Sequence, residues 1–162
     1  MIIGILRPSA HSISQRTTDN HQPFSTSVVF YDGLCALCSR TVQYLLERDH
    51  HQLLKFAPLQ GKTAKSLLER FPELGYKSSL KSVIYIREFN SPEEKIFLRS
   101  TAVLSILYDI EAQSRWITVV HLLPGFLRNL IYNIVAKYRY QWFGKYDECW
   151  LPDFRWNERF LP

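Results

Sequence analysis

Cysteine is scarce in this chain: 3 of the 162 residues are cysteines, Cys35, Cys38 and Cys149. A secreted scaffold that depends on disulfides for stability needs more of them. The scarcity favours a reducing compartment, and the cytoplasm is the default expectation. In such a compartment, two cysteines separated by two residues are more often catalytic or metal-binding than structural.

Long apolar runs are also missing. The apolar start of the chain, residues 1–6, is too short for a secretory signal peptide. Polar residues and a Pro-Gly pair interrupt the most apolar region, residues 116–135, so it does not predict a membrane span. Residues 1–26 are rich in serine and threonine without periodicity, which predicts a disordered leader or, alternatively, an organelle transit peptide. Residues 27–162 then predict a single domain.

A concentration of one charge is absent too. The net charge is +5, and no stretch is dense enough in lysine and arginine to indicate nucleic-acid binding. The basic character of the last third leaves open a contact with a membrane surface or an acidic partner. The oligomeric state cannot be read from these features.

Short apolar runs alternate with segments of helical periodicity after the leader. Strands are predicted at residues 27–31, 53–57, 82–86 and 95–98, and helices at about 36–49, 64–71 and 100–110, with Ser100 as the N-cap of the last. The order β-α-β-α-β-β-α predicts an α/β fold with a thioredoxin-like mixed sheet flanked by helices.

A helical C-terminal extension is predicted from about residue 113 onward. Its clearest part has an apolar stripe that we expect to pack onto the core, while the opposite face carries polar and charged side chains. The stripe comprises Leu127, Leu130, Ile131, Ile134 and Tyr138, and the opposite face Arg128, Asn129, Lys137 and Arg139. The tail from Trp142 onward is aromatic but aperiodic, and we expect it to wrap the surface.

The segment Tyr31-Asp32-Gly33-Leu34-Cys35-Ala36-Leu37-Cys38 joins the first strand to the first helix. An Asp-Gly turn here places two cysteines on the first turn of a helix. Unpaired backbone N–H groups and the helix dipole favour a thiolate there, and the thiolate is the form that attacks disulfides or binds metals. The motif therefore predicts dithiol chemistry.

Helical geometry assigns different roles to the two cysteines. Cys38 shares an apolar row with Val42 and Leu45, so we expect its sulfur to be buried and to act as the resolving thiol. Cys35 lies at the first turn, where we expect solvent access, and is the candidate attacking thiolate. Asp32 is the third candidate catalytic residue: it can shape the turn, cap the helix or exchange protons with a cysteine.

Metal binding is the alternative, with the same fold serving as a non-catalytic binding module. A closed zinc site needs four ligands, and the two cysteines supply two. His50 and His51 lie at the far end of the helix, about 20 Å away at ~1.5 Å per residue, so they cannot join Cys35. His121 or Cys149 could approach only through tertiary folding. We expect no metal and no cofactor.

The motif Asp32-x-x-Cys35-x-x-Cys38 after a strand and a tyrosine resembles the signature of the DCC family of predicted thiol-disulfide oxidoreductases with a thioredoxin-like fold. The resemblance extends over roughly residues 27–161. It includes Phe56-Ala57-Pro58-Leu59-Gln60, Arg99-Ser100-Thr101-Ala102, Arg128-Asn129-Leu130-Ile131-Tyr132 (with Asn129 in place of the family's acid), Arg139-Tyr140, Phe143-Gly144, Cys149, Pro152 and Arg159-Phe160-Leu161.

The resemblance implies a redox-active Cys35–Cys38 pair that acts on a disulfide-containing protein or a small thiol compound and is restored by an external reductant. Thioredoxins carry a cis-proline before the third strand, but residues 78–83 contain no proline. A small or dedicated partner is therefore an alternative to general protein disulfides. Cys149 is either a buried packing residue or a second resolving thiol.

Overall fold

A computed structural model describes residues 26–76, 82–110, 119–120, 122–149 and 154–162. The predicted leader, apart from Thr26, lies outside the described residues, as does His121. The elements in chain order are β1 (Ser27–Tyr31), α1 (Ala36–Arg48), β2 (Leu54–Pro58), α2 (Lys62–Arg70), α3 (Pro72–Tyr76), β3 (Ile84–Arg87), β4 (Lys95–Leu98), α4 (Arg99–Ile110), α5 (Gly125–Phe143) and a 3₁₀ helix (Phe154–Arg159).

The four strands form one mixed sheet in the order β2-β1-β3-β4. β1 pairs in parallel with β2 through the α1 crossover and antiparallel with β3, so that Val29 lies between Phe56 and Tyr85. β3 and β4 are antiparallel neighbours, joined by a hairpin. This mixed sheet with flanking helices confirms the predicted thioredoxin-like architecture.

Alternate residues of β1 face two separate cores, as the two-residue period of a strand requires. Val29 and Tyr31 pack against α1 and α4, in the cluster that also holds both cysteines of the motif. Val28 and Phe30 pack on the other face, against α2 and α3. Because every residue of β1 is buried, the strand reads as one apolar run rather than as an alternating pattern.

Several local boundaries differ from the expectations. The structure has β2 at Leu54–Pro58 instead of 53–57, α2 at Lys62–Arg70 instead of about 64–71, and β3 at Ile84–Arg87 instead of 82–86. Pro72 opens the short helix α3, because proline fits the first turn of a helix where no N–H bond is needed. The N-cap prediction for Ser100 is wrong: α4 begins at Arg99. The Ser100 hydroxyl instead donates a hydrogen bond to Asn129 Oδ1 at 2.6 Å.

The expected orientation of α5 is wrong as well. Leu130, Ile131 and Ile134 of the apolar stripe are roughly half exposed, whereas Arg139, which we placed on the outer face, is 4% exposed. The face of α5 that contacts the rest of the protein instead carries polar contacts at helical spacing. Asn129 accepts a hydrogen bond from Ser100, and Tyr132 accepts one from the Val83 N–H at 3.0 Å. These contacts and the ion pair of Arg139 set the rotation of the helix.

Candidate active site

Both cysteines of the motif lie at the start of α1, as the sequence predicted. Cys35 is the N-cap residue, and its N–H donates to the Asp32 carbonyl at 3.2 Å. Cys38 faces the core shared with Val42 and Leu45. The turn between strand and helix therefore brings the two sulfurs together on one helical turn.

Cys35 is buried, with 0% of its surface exposed, so the expectation of solvent access is wrong. The cause is residues 144–146, which follow α5 and cross the start of α1; we call them the covering segment. The Ala36 N–H donates to the Gly144 carbonyl at 3.3 Å, and the Tyr146 N–H donates to the Leu34 carbonyl at 2.8 Å. Cys35 and Lys145 form an isolated antiparallel bridge between these bonds.

The two thiols differ sharply in acidity. The pKa of Cys35 is lowered to about 6, chiefly because Cys38 donates a hydrogen bond to the Cys35 thiolate; burial opposes the shift and the charge of Arg139 adds to it. The pKa of Cys38 is raised far above its ordinary range by that same hydrogen bond, by burial and by the charge of Cys35. Near neutral pH the reduced pair is therefore one thiolate, Cys35, and one thiol, Cys38.

The Asp32 side chain is buried and accepts four hydrogen bonds from described residues. Its Oδ1 accepts from the Leu34 N–H at 3.1 Å and from Gln60 Nε2 at 2.9 Å. Its Oδ2 accepts from Arg139 Nη2 at 2.5 Å and from the Tyr140 hydroxyl. Of the roles that the sequence left open for Asp32, the structure contains the stabilisation of the turn, through the bond from the Leu34 N–H. It does not contain the helix cap, because α1 has no side-chain cap hydrogen bond.

Arg139 is the site residue that the sequence analysis missed. It is 4% exposed, and its Nη1 lies 3.9 Å from Cys38 Sγ while Nη2 holds Asp32. Asp32 and Arg139 are 107 residues apart in the chain, so local periodicity could not reveal the pair. The resemblance had singled out Arg139-Tyr140, and this was the available signal.

Cys149 packs against the turn of the motif. A Cβ added to Gly33 would overlap Cys149 Sγ, so the sulfur lies directly over the glycine. Burial and the nearby charge of Asp32 raise the pKa of Cys149. Tyr31 is close by, and burial raises its pKa, with the charges of Cys149 and Cys38 adding to the effect. Cys149 therefore borders the same site as a protonated thiol.

His121 lies outside the described residues, and the other candidate metal ligands form no cluster with Cys35 and Cys38 that could hold a metal ion. His50 and His51 are exposed in the loop after α1, and within the described ranges no group of three or more His, Cys, Asp or Glu side chains could hold a metal ion. The described helices include none that is both long and apolar enough to cross a membrane.

Comparisons with known proteins identify the family of this chain. The model of the DCC1-like thiol-disulfide oxidoreductase family matches residues 29–145. The uncharacterized protein YuxK of Bacillus subtilis (strain 168) is 33% identical over 135 residues, which cover 83% of this chain and 93% of the relative. A chloroplastic DCC family protein of Arabidopsis thaliana is 28% identical over 123 residues, 75% of this chain and 67% of the relative. No solved structure matches the chain. The family match covers most of the chain, including the cysteine motif and Arg139, and the chain belongs to the DCC1-like thiol-disulfide oxidoreductase family.

Proposed function

We propose that this protein catalyses thiol–disulfide exchange, with Cys35 as the attacking thiolate and Cys38 as the resolving thiol. The observation that carries the proposal is the placement of Cys35 and Cys38 at the start of α1, with Arg139 Nη1 3.9 Å from Cys38 Sγ. The hydrogen bond from Cys38 and the charge of Arg139 lower the pKa of Cys35 to about 6, whereas the pKa of Cys38 is raised. A thiolate at neutral pH is the nucleophile that exchange requires. The family membership supports the same class of reaction.

The cycle balances without a cofactor. The Cys35 thiolate attacks one sulfur of the substrate disulfide, and the other substrate sulfur leaves as a thiolate. Cys38 then attacks Cys35 Sγ in the mixed disulfide and releases the second substrate sulfur, while the proton of Cys38 passes to a departing thiolate. One disulfide is reduced to a thiol and a thiolate, which takes its proton from solvent, and Cys35 and Cys38 become a disulfide that an external thiol reductant reduces again.

Asp32 and Arg139 prepare the pair for this reaction. Arg139 places a positive charge beside both sulfurs and lowers the pKa of Cys35. Asp32 holds the guanidinium in place and shapes the turn that presents Cys35. We propose these as the roles of Asp32, because none of its hydrogen bonds among the described residues is to a sulfur. Arg139 joins Cys35, Cys38 and Asp32 as a proposed functional residue.

Access to Cys35 requires the covering segment to move. Two backbone hydrogen bonds hold it over the start of α1, and a substrate disulfide must displace it to reach the sulfur. A bulky protein substrate needs a larger opening than a small disulfide does. The cycle also needs a pool of thiols as the external reductant. A reducing compartment such as the cytoplasm is suited to supply it.

The test is a redox titration of the Cys149→Ser variant in a series of glutathione buffers, with free thiols alkylated and counted by intact mass. We expect a reversible loss of two thiols. This loss should disappear when Cys35→Ser or Cys38→Ser is combined with Cys149→Ser. The midpoint gives the potential of the pair and hence the direction of electron flow.

The burial of Cys35 favours one competing function, a non-catalytic binding module with a structural cysteine pair. If both thiols stay reduced in every buffer, the catalytic proposal fails and this module replaces it. Stoichiometric zinc in the purified protein, lost in Cys35→Ser, would identify the metal-binding version of the module.

A further inference from the structure

On the α1 side of the sheet, α1, α4 and α5 line a cavity of about 560 Å³ that is partly open to solvent. This volume falls in the range of small-molecule sites. Its walls are largely aliphatic, including Val42, Leu45, Ile106, Leu107, Val135 and Ala136. An apolar ligand body fits such walls.

One wall of the cavity carries the guanidinium of Arg128, which has hydrogen-bond donors without a partner among the described residues. Arg128 lines the cavity, and its Nε and Nη1 are shielded from solvent without a hydrogen-bond partner in the part of the chain that the structure describes. Leaving charged donors buried and unpaired is costly, and a carboxylate supplies the counter-charge and acceptors together. Arg128 belongs to the family-like segment 128–132, and the proposed exchange reaction does not use it.

The far end of the cavity is the dithiol site. Cys38 and Arg139 line it, whereas Cys35 does not. Arg128 and Arg139 are separated by 11 residues of α5, or about 16 Å along the helix axis at ~1.5 Å per residue. Arg139 is already paired with Asp32, so of these two arginines Arg128 is the one whose Nε and Nη1 have no partner among the described residues.

We propose that this cavity binds a small organic acid with an apolar body, the carboxylate paired with Arg128 and the apolar body directed toward Cys38. This binding site goes beyond the proposed function, because it involves no exchange step. A bound acid occupies the cavity beside Cys38 Sγ and so shields that sulfur from the cavity side.

The first test measures binding of decanoate, below its micelle concentration, to the full chain by calorimetry. Decanol and decyltrimethylammonium serve as uncharged and cationic controls. We expect decanoate to bind and the cation not to bind, with decanol weaker by at least about tenfold because a charge-assisted hydrogen bond is lost. Equal binding of decanoate and decanol would overturn the assignment of Arg128.

Two variants locate the site. Arg128→Leu is expected to weaken decanoate binding by at least about tenfold, and Ala136→Phe to abolish it by filling the cavity. The matched control is Arg40→Leu, which removes an exposed arginine of α1 that does not line the cavity. Unchanged binding in Arg128→Leu or in a folded Ala136→Phe would contradict the proposal, as would binding to phosphatidylglycerol vesicles without binding to monomeric decanoate.

A second readout uses the sulfur itself. In the Cys35→Ser variant, decanoate is expected to slow alkylation of Cys38 by iodoacetamide, and the slowing should disappear when Arg128→Leu is added. Neither measurement depends on redox turnover. If the protein binds decanoate but shows no reversible oxidation, this binding site stands and the proposed function fails. If it is reversibly oxidised but does not bind decanoate, the proposed function stands and this binding site fails.

Discussion

At the scale of single residues, the site depends on a buried guanidinium. Arg139 lies between the Asp32 carboxylate and the Cys38 sulfur and is almost wholly enclosed. A buried charge needs a fixed partner, and Asp32 provides one. The pair therefore acts on the chemistry through the charge that Arg139 presents to the two sulfurs.

Replacing Arg139 should make Cys35 a weaker acid. The guanidinium charge lowers the pKa of Cys35, which is about 6, so Arg139→Gln is expected to raise it by about one pH unit. The thiolate absorbance in the ultraviolet, followed against pH in the reduced Cys149→Ser variant, measures the midpoint. Below this midpoint Cys35 is protonated and exchange slows; above it the rate levels off.

Arg139→Lys is the control for charge, since it keeps the positive group but loses the forked geometry. We expect a midpoint between those of the wild type and Arg139→Gln. An unchanged midpoint in Arg139→Gln would show that hydrogen bonds to the sulfur, and not the charge of Arg139, lower the pKa of Cys35.

Gly33 gives a second prediction at this scale. A Cβ at this position overlaps Cys149 Sγ, so Gly33→Ala should destabilise the protein by about 1–3 kcal/mol through overpacking. Adding Cys149→Ala removes the sulfur and should restore most of the loss. Urea unfolding measures both, and Gly125→Ala is the control, because its added Cβ meets only Arg128 Nη2 at 3.7 Å. If the double variant is as unstable as Gly33→Ala, another contact is responsible.

At the scale of elements, the covering segment decides whether Cys35 can react. The helix start, the turn and residues 144–146 form one small backbone-bonded unit above the sulfur. Residues 144–146 are exposed on their outer side, so little side-chain packing opposes their opening. A backbone change in the covering segment should therefore change the access of reagents to Cys35 more than it changes the pKa of Cys35.

Tyr146→Pro removes the N–H that binds the Leu34 carbonyl. Losing one hydrogen bond of about 1 kcal/mol should speed alkylation of Cys35 by roughly fivefold, without moving its pKa. Mass-resolved alkylation of the reduced Cys149→Ser variant measures the rate. Tyr146→Ala keeps the N–H and should react at the wild-type rate. An equal acceleration in both variants would mean that the side chain covers the sulfur, and no acceleration in Tyr146→Pro would mean that this hydrogen bond does not control access.

At the scale of the whole molecule, the C-terminal residues bind β2, which forms one edge of the sheet. Phe160 packs on Phe56 and Tyr31, and the Leu161 N–H donates to the Phe56 carbonyl at 2.8 Å. Arg159 forms a buried ion pair with Asp49, which also accepts the N–H groups of Leu53 and Leu54. One pair thus joins the end of α1, the start of β2 and the last described segment.

Breaking that pair should destabilise the entire fold. Arg159→Met leaves the buried Asp49 carboxylate without its cation, at an expected cost of about 3–5 kcal/mol in the free energy of unfolding. Arg70→Met breaks the Arg70–Glu94 pair, whose arginine is 41% exposed, and should cost less than about 1 kcal/mol. Urea unfolding compares the two, and similar losses would mean that the Asp49 pair contributes no more than a surface pair does.

Much of the architecture was readable because it rests on local patterns. The buried run of β1, the Asp-Gly turn and the helical row of Cys38, Val42 and Leu45 each depend on neighbours within a few residues. α5 was predicted as a helix for the same reason. Its orientation was not, because Asn129, Tyr132 and Arg139 bind polar partners from distant parts of the chain, and these contacts outweigh the apolar stripe.

The sequence by itself determined the order of strands and helices, the position of the cysteine pair at a helix start and the family to which that motif is similar. These follow from short-range periodicity, turn chemistry and residue type. Only the tertiary structure decided that Cys35 is covered, that Arg139 stands beside the dithiol and that Cys149 lies over Gly33. The reason is distance along the chain: each of these contacts joins residues about a hundred positions apart, and only folding brings their charges and surfaces together.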